Sequence, residues 1–583
     1  MDTQIRNFYS RYLKIPKPYE HQLKVWHLME EGKFPILVRA PTGSGKTESV
    51  VAPFLNQFVT QDFYIAPRLI YVLPTRVLVN SLKDRIKKYA SEISDDISVV
   101  AHHGAQPDSA FFMEDIIVTT LDQFLYGYAR SSVQVGRHID LPAGTIATSL
   151  VVFDEAHMYH DKYTFAILRA LLEILYNSKV PFVVMTATLP KTLEESLFQD
   201  IEIPEESRIL ASVPRSNKLR YEIVHSALLE KDKVCLPIEL IEKIKEKKTL
   251  IVVNRVDTAQ KLYLKLKEQL AGEGIKPVLL HSRYIKKDRD EHEKEALSKL
   301  NVKENNQVKK REGPAVVIST QVLEAGVDFS AELLITEIAP ADSLVQRIGR
   351  CARYEGEEGE VYIFSNNLEG SDSTTEEQFS ITAPYDPEHI SRTLKKLSEN
   401  NLDLTSFEQI IDFVNVLEYV ADDFEAQDAL IDLFECTLYA DEKPENIQAR
   451  NSKIIRLIVI DPEKVKTNKA TNRDVENILN QFLESKKFEQ NLINLKFENF
   501  FDFLQKLENL QQIEKIYRLV WKPNNRTFEL KEVKPKNSNS EAKNRRKNSN
   551  SEAENRIIDD INPYELYAIV GNCYDKELGL KFR

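Results

Sequence analysis

The residues best suited to chemistry lie in two short strings, Ala40–Thr47 (APTGSGKT) and Phe153–His157 (FDEAH). Each follows an apolar run of the kind that makes a buried strand. A loop that leaves a strand and opens a helix aims several backbone N–H groups at one point, where the helix dipole adds positive potential. In the first string Thr42, Gly43, Ser44 and Gly45 form such a loop, and the glycines let the backbone approach oxyanions with no Cβ in the way. Lys46 can neutralise β- and γ-phosphates, and the Thr47 hydroxyl can ligate magnesium. In the second string Asp154 would hold the same ion, and Glu155 would polarise an attacking water as general base. Together they read as the two halves of an ATP-hydrolysing site with ATP and Mg2+ as its ligands. Ala40 stands where the general phosphate-loop pattern has its first glycine. Upstream, in YEHQ, Gln22 could bind an adenine edge with Tyr19 stacking nearby; an exposed helix start explains that string equally well.

Positioning these groups requires strands that end where they begin. Candidate strands run over Pro35–Ala40, Leu69–Leu73, Ile116–Thr119, Leu150–Phe153 and Val183–Thr186, separated by amphipathic stretches. That alternation predicts a parallel sheet covered by helices, with its chemistry at the carboxyl ends of the strands. The pattern restarts over Leu250–Asn254, Pro277–His281, Val316–Thr320, Leu333–Ile338 and Val361–Phe364. Two successive α/β lobes with a seam near 210–220 follow. We divide the chain into 1–215, 216–368, a linker and helical region 369–450, and an accessory C-terminal domain 451–583. The tail reads as mainly helical, with strand-like runs at Arg456–Asp461 and Tyr567–Val570. Leu368–Gln378 reads as a polar linker. KNSNSEA, at Lys536–Ala542 and again at Lys547–Ala553, reads as a disordered insertion over about 535–556.

Composition sets wider bounds. At 583 residues, 42% of them hydrophobic and 29% charged, the chain has the make-up of a soluble globular protein. Uninterrupted apolar runs fall short of the ~18–20 residues of a membrane span, and Met1–Ser10 lacks the core of a secretory signal, so no membrane partner and a cytoplasmic address are expected. Cys235, Cys351, Cys436 and Cys573 have no paired spacing and read as reduced thiols. A net charge of −12 argues against a protein that coats DNA generally, while allowing a local basic cleft.

Beyond the two strings, an ordered series resembles the superfamily 2 helicases: PTRVLVNSL (Pro74–Leu82), HHG (His102–Gly104), TTLDQF (Thr119–Phe124), DEAH, TAT (Thr186–Thr188), VVNRV (Val252–Val256), LLHSRY (Leu279–Tyr284), STQVLEAGVD (Ser319–Asp328) and QRIGRCAR (Gln346–Arg353). The resemblance implies two tandem RecA-like domains with ATP between them. It implies that Arg347 and Arg350 reach the γ-phosphate, that Gln346 positions water or phosphate, and that Gly326 and Asp328 join the nucleotide site. His157, Thr186, Thr188 and Glu324 would couple nucleotide state to movement. Nucleic acid would run along Thr75, Arg76, Thr119, Thr120 and Asp122 in the first lobe. In the second it would meet Asn254, Arg255, Ser282, Arg283, Thr320 and Gln321.

The wording of HHG, TTLDQF, STQVLEAGVDF and QRIGRCAR is similar to the CRISPR-associated helicase of type I interference systems, as are RLIVID (Arg456–Asp461) and the terminal YDKELGL (Tyr574–Leu580). Many members of that family carry a His-Asp metal nuclease in the same chain. Here the only adjacent His-Asp pair is His160–Asp161, inside the motor, so a helicase-only form with a separate HD nuclease subunit is expected. The resemblance implies ATP-driven 3′ to 5′ translocation on single-stranded DNA opened by a guide-RNA surveillance complex of the Cascade type. Two other readings stay open: another superfamily 2 RNA helicase or restriction translocase, and an ATP-gated clamp or recruitment scaffold.

Overall fold

A computed structural model describes residues 2–41, 43–104, 106–159, 162–211, 217–230, 233–304, 307–324, 328–366, 382–399, 402–419, 434, 454–460, 472–484, 488–496, 500, 513–522, 527–533 and 566–581. The chain divides into two compact units. One comprises Met1–Ala227, Asn301–Lys310 and Glu324–Asn451; the other comprises Leu228–Leu300, Arg311–Leu323 and Ser452–Arg583. Thr42, Gly326, His160–Asp161, the 368–378 linker and the 535–556 repeat lie outside the described residues.

The first unit is built on an eight-stranded sheet. Its order is Gln106–Pro107, Val99–His103, Ile116–Thr120, Leu69–Leu73, Leu150–Phe153, Phe182–Thr186, Ile36–Arg39 and Arg208–Leu210. All neighbours pair in parallel except the first two strands. Alternate side chains serve opposite cores. Leu37, Ile70, Ile117, Val151 and Val184 face one helical layer; Val38, Tyr71, Val118, Val152 and Val183 face the other. Burial on both faces explains why these strands read as unbroken apolar runs. Val99–His103 escaped the sequence reading because His102 and His103 look like loop residues, yet both are buried.

The restarted pattern is a second parallel arrangement. In the first unit Leu333–Glu337, Glu358–Phe364 and Lys218–Val224 pair in that order. In the second unit Val278–Leu280, Ala315–Ser319 and Lys248–Val252 do the same. The fold is therefore α/β with two parallel sheets, as expected.

The tail departs from its mainly helical reading. The helices Pro387–Ser398 and Phe407–Val414 are present, but the second unit ends in a five-stranded mixed sheet. Its order is Leu492–Lys496, Ile454–Ile460, Leu566–Gly571, Ile513–Lys522 and Thr527–Glu532. Edge strands explain part of the discrepancy, Ile513–Lys522 being an interior strand. Thr527–Glu532 (TFELKE) is half exposed and carries Glu and Lys, which protect an edge and imitate a solvated helix.

Candidate active site

The parallel strands of the first unit deliver the expected residues to their carboxyl edge. After Ile36–Arg39 the chain turns through Gly43 and Gly45, at φ 81° and 77°, and opens the helix Lys46–Thr60. Gly45 has a second constraint: a Cβ there would lie 2.4 Å from Gln22 Nε2. That amide donates to the Gly45 carbonyl at 3.0 Å, while its oxygen accepts from the Tyr19 N–H at 2.8 Å. Gln22 thus buttresses the loop. Neither it nor Tyr19, which lies over the His21 ring at 5.7 Å, is on the wall of the cavity the loop borders.

Lys46 is buried with its Nζ 3.4 Å from Glu155 Oε2 and 4.0 Å from Asp154 Oδ1. Asp154 Oδ2 accepts from Tyr71 Oη at 2.7 Å. Burial, and then the Glu155 charge beside it, push the Asp154 carboxyl above the usual range. Glu155 has φ 54°, the left-handed region that non-glycine residues seldom occupy, and its N–H donates to Asp154 Oδ1 at 2.7 Å. Such a backbone costs about 1–2 kcal/mol and concentrates where a site needs a side chain aimed against local preference. Here it turns Glu155 into the cavity.

The opposite wall comes from the same unit and includes Glu324, Asp328, Gln346, Arg350 and Arg353. Gln346 Nε2 donates to His157 Nε2 at 3.0 Å and to Thr188 Oγ1 at 3.1 Å. His157 Nδ1 lies 3.3 Å from Thr186 Oγ1 and 3.6 Å from Glu155 Oε2. Of the groups expected to couple nucleotide state to movement, His157, Thr186 and Thr188 are thereby joined through Gln346 in one hydrogen-bonded chain, while Glu324 pairs with Arg347. Arg350 lines the cavity, with Nη2 donating to the Glu324 carbonyl at 2.6 Å. Burial and then Arg353 disfavour its charge, so an anion in the cavity would stabilise it. Burial would also raise the Asp328 carboxyl, but Arg353 at 2.7 Å, Arg350 and Tyr354 together outweigh it and the net shift is downward.

Arg347 is a correction. Expected beside Arg350, it is instead fully buried and absent from the cavity wall. It donates to Glu324 Oε1 at 2.8 Å, Thr336 Oγ1 at 3.0 Å, the Glu337 carbonyl at 3.1 Å and Tyr385 Oη at 2.9 Å. The helix Ala341–Ile348 turns it toward the interior while leaving Gln346 at the rim. Arg85, on the helix Arg76–Ser91, escaped the sequence reading altogether. It lines the cavity and donates to Thr47 Oγ1 at 2.6 Å. Nothing in its local sequence separates it from a solvated helix charge.

The donor set fits a magnesium-bound triphosphate. Among the described residues no group of three or more His, Cys, Asp or Glu could enclose a metal. Thr47 and Asp154 supply two oxygens, joined through Tyr71 Oη at 2.7 Å from Asp154 and 3.4 Å from Thr47. One or two protein oxygens are what magnesium takes when phosphates complete its octahedron.

The expected nucleic-acid residues are placed unevenly. In the first unit Arg76 is exposed and Thr75 caps its helix, accepting from the Leu78 N–H at 3.4 Å. Asp122 is half-buried. Thr119 and Thr120 are buried, and Thr119 Oγ1 donates to the His102 carbonyl at 2.8 Å. In the second unit Arg255 and Ser282 are exposed, and Arg283 pairs with Asp257 at 2.6 Å. Asn254 and Thr320 are buried; the Asn254 carbonyl accepts from Gln321 Nε2 at 3.0 Å.

Comparison with known proteins follows the same division. Residues 19–196 match the DEAD/DEAH box helicase family, and 245–356 match the C-terminal family of CRISPR-associated nuclease/helicase Cas3. The CRISPR-associated helicase Cas3 of Thermoproteus tenax is 30% identical over 400 residues, 65% of this chain and 62% of that one. The chain is thus similar to Cas3 helicases over both matched stretches. A crystal structure of T. fusca Cas3 with AMPPNP shares the fold, with a TM-score of 0.62 at 19% identity over 84% of this Cas3-like chain and 65% of that one. A chain of a CRISPR RNA-guided surveillance complex, pre-nicking, aligns with a TM-score of 0.55 at 19% identity over 82% and 63%. The Cas3-like chain thus spans less than two thirds of each of these proteins. Among the described residues no helix is long and apolar enough to cross a membrane.

Proposed function

We propose that the chain is an ATP-dependent helicase of type I CRISPR interference, translocating 3′ to 5′ on single-stranded DNA. The observation that carries this reading is the single cavity holding Lys46, Asp154, Glu155, Gln346 and Arg350. In it the loop amides and Lys46 bind phosphate oxygens, and Thr47 with Asp154 hold magnesium, which supplies charge neutralisation at the phosphates. Glu155 orients and deprotonates water. Arg350 meets the charge that develops on the transferred phosphoryl group, a task suited to a planar guanidinium. Gln346, bonded to His157 and Thr188, registers whether phosphate is present and relays it through His157 to the strand end that carries Thr186. The relatives' names support a role beside a CRISPR RNA-guided surveillance complex; that this complex is of the Cascade type and that an HD nuclease is supplied separately belong to the same proposal.

The test compares ATP turnover with single-stranded DNA and with RNA, followed by strand displacement. DNA-stimulated turnover with displacement is expected; strong RNA preference would overturn the substrate assignment, and hydrolysis without displacement would favour a clamp. Lys46→Ala should abolish turnover and leave strand binding intact.

A further inference from the structure

Arg85 holds a position that the nucleotide reading alone does not require. Its Nη2 donates to Thr47 Oγ1 at 2.6 Å, the same oxygen that would ligate magnesium. Its Nε lies 3.6 Å from Glu48 Oε1, and Tyr89 Oη fixes that carboxylate at 3.0 Å. The side chain is half exposed, so the guanidinium has room to turn off Thr47 while staying beside the Glu48 carboxylate.

The valences of Thr47 Oγ1 make the consequence concrete. A hydroxyl has one proton and two lone pairs. Tyr71 Oη gives its proton to Asp154 and can accept from Thr47, while Arg85 takes one lone pair. A divalent ion on the remaining lone pair would share one small oxygen with a guanidinium, and like charges at that separation repel strongly. Arg85 and the metal therefore compete for Thr47. Conversely, when metal is scarce, the guanidinium places positive charge where phosphate oxygens need it.

We propose that Arg85 is a built-in cation at the magnesium position, supporting nucleotide binding without metal and releasing Thr47 when metal enters. This rests on the reading of the cavity as a nucleotide site and adds a metal-dependence to it. The experiment titrates the full chain with a fluorescent ADP, once in EDTA and once in excess magnesium. For the unsubstituted chain, removing magnesium should cost no more than about threefold in Kd, and Arg85→Gln should raise that cost to about tenfold or more. In magnesium, Arg85→Gln should bind as well as the parent or better. Arg85→Lys, which keeps the charge, should lose less in EDTA than Arg85→Gln, and an unchanged ligand-free melting midpoint checks that both variants fold. Equal losses in both media would make Arg85 an ordinary phosphate contact and overturn the proposal, as would no loss in either. Failure of the unsubstituted chain to bind in both media would overturn the nucleotide reading itself.

Discussion

Gln346 Nε2 stands 3.0 Å from His157 Nε2, so a residue from the helix Ala341–Ile348 is bonded to the histidine that follows the acidic pair. The amide needs an unprotonated Nε2 to donate to, which leaves the proton on Nδ1, facing Thr186 Oγ1 and Glu155. One side chain on the far wall therefore sets the tautomer of another beside the proposed general base. Gln346→Ala should lower kcat for ATP by about tenfold with little change in nucleotide Kd, a loss confined to the transition state. Steady-state turnover beside equilibrium nucleotide titration checks it.

Arg347 and Arg350 should separate cleanly. Arg350→Ala should slow hydrolysis by about a hundredfold or more, with modest loss of ATP binding and little change in melting. Arg347→Ala removes a fully buried charge, the partner of half-buried Glu324 and a donor to three other groups, a class of change that costs about 3–5 kcal/mol. Thermal unfolding of the two variants side by side should show the stability loss in Arg347→Ala alone.

Gly45→Ala meets two obstacles, a left-handed backbone and the Gln22 amide 2.4 Å from the new methyl. The backbone term alone is about 1–2 kcal/mol. Nucleotide binding should fall, and Gln22→Ala in the same chain should recover only the steric part. A double-mutant cycle on nucleotide Kd measures that coupling.

Acid should unfold both units early. Burial holds His21 and His102 down to about 4, with His103 a second cause for His102; burial and then Arg283 hold His281 down to about 3. Each binds fewer protons in the fold than in the unfolded chain, where its pKa is about 6.5, so stability rises with pH across that window. Acidification from about pH 6.5 toward 4 should therefore lower stability by up to about 3 kcal/mol per histidine, and the melting midpoint with it. Replacing His102 by Gln should flatten the slope; an unchanged slope would mean that other groups govern it.

Much of this protein was settled by short stretches of chain. Apolar runs such as Leu69–Leu73 and Leu150–Phe153 are buried on both faces and can be little else, and the residues after them inherit the carboxyl edge of a parallel sheet. The loop from Gly43 to Thr47 follows equally locally, since its glycines carry the positive φ it needs. Side-chain direction and partnership are different, because they depend on atoms far away along the chain. Arg347 and Arg350 share one string, yet packing sends the first into a buried network and the second into the cavity. Thr119 was legible as the end of a strand, but its shorter hydroxyl bond, to the His102 carbonyl of the neighbouring strand, was not. Arg85 looked like any helix charge until folding brought it to Thr47. Local spacing determines which backbone segments form and where they end; the competition for burial and hydrogen-bond partners, decided only once the elements pack, determines which of their side chains reach the site.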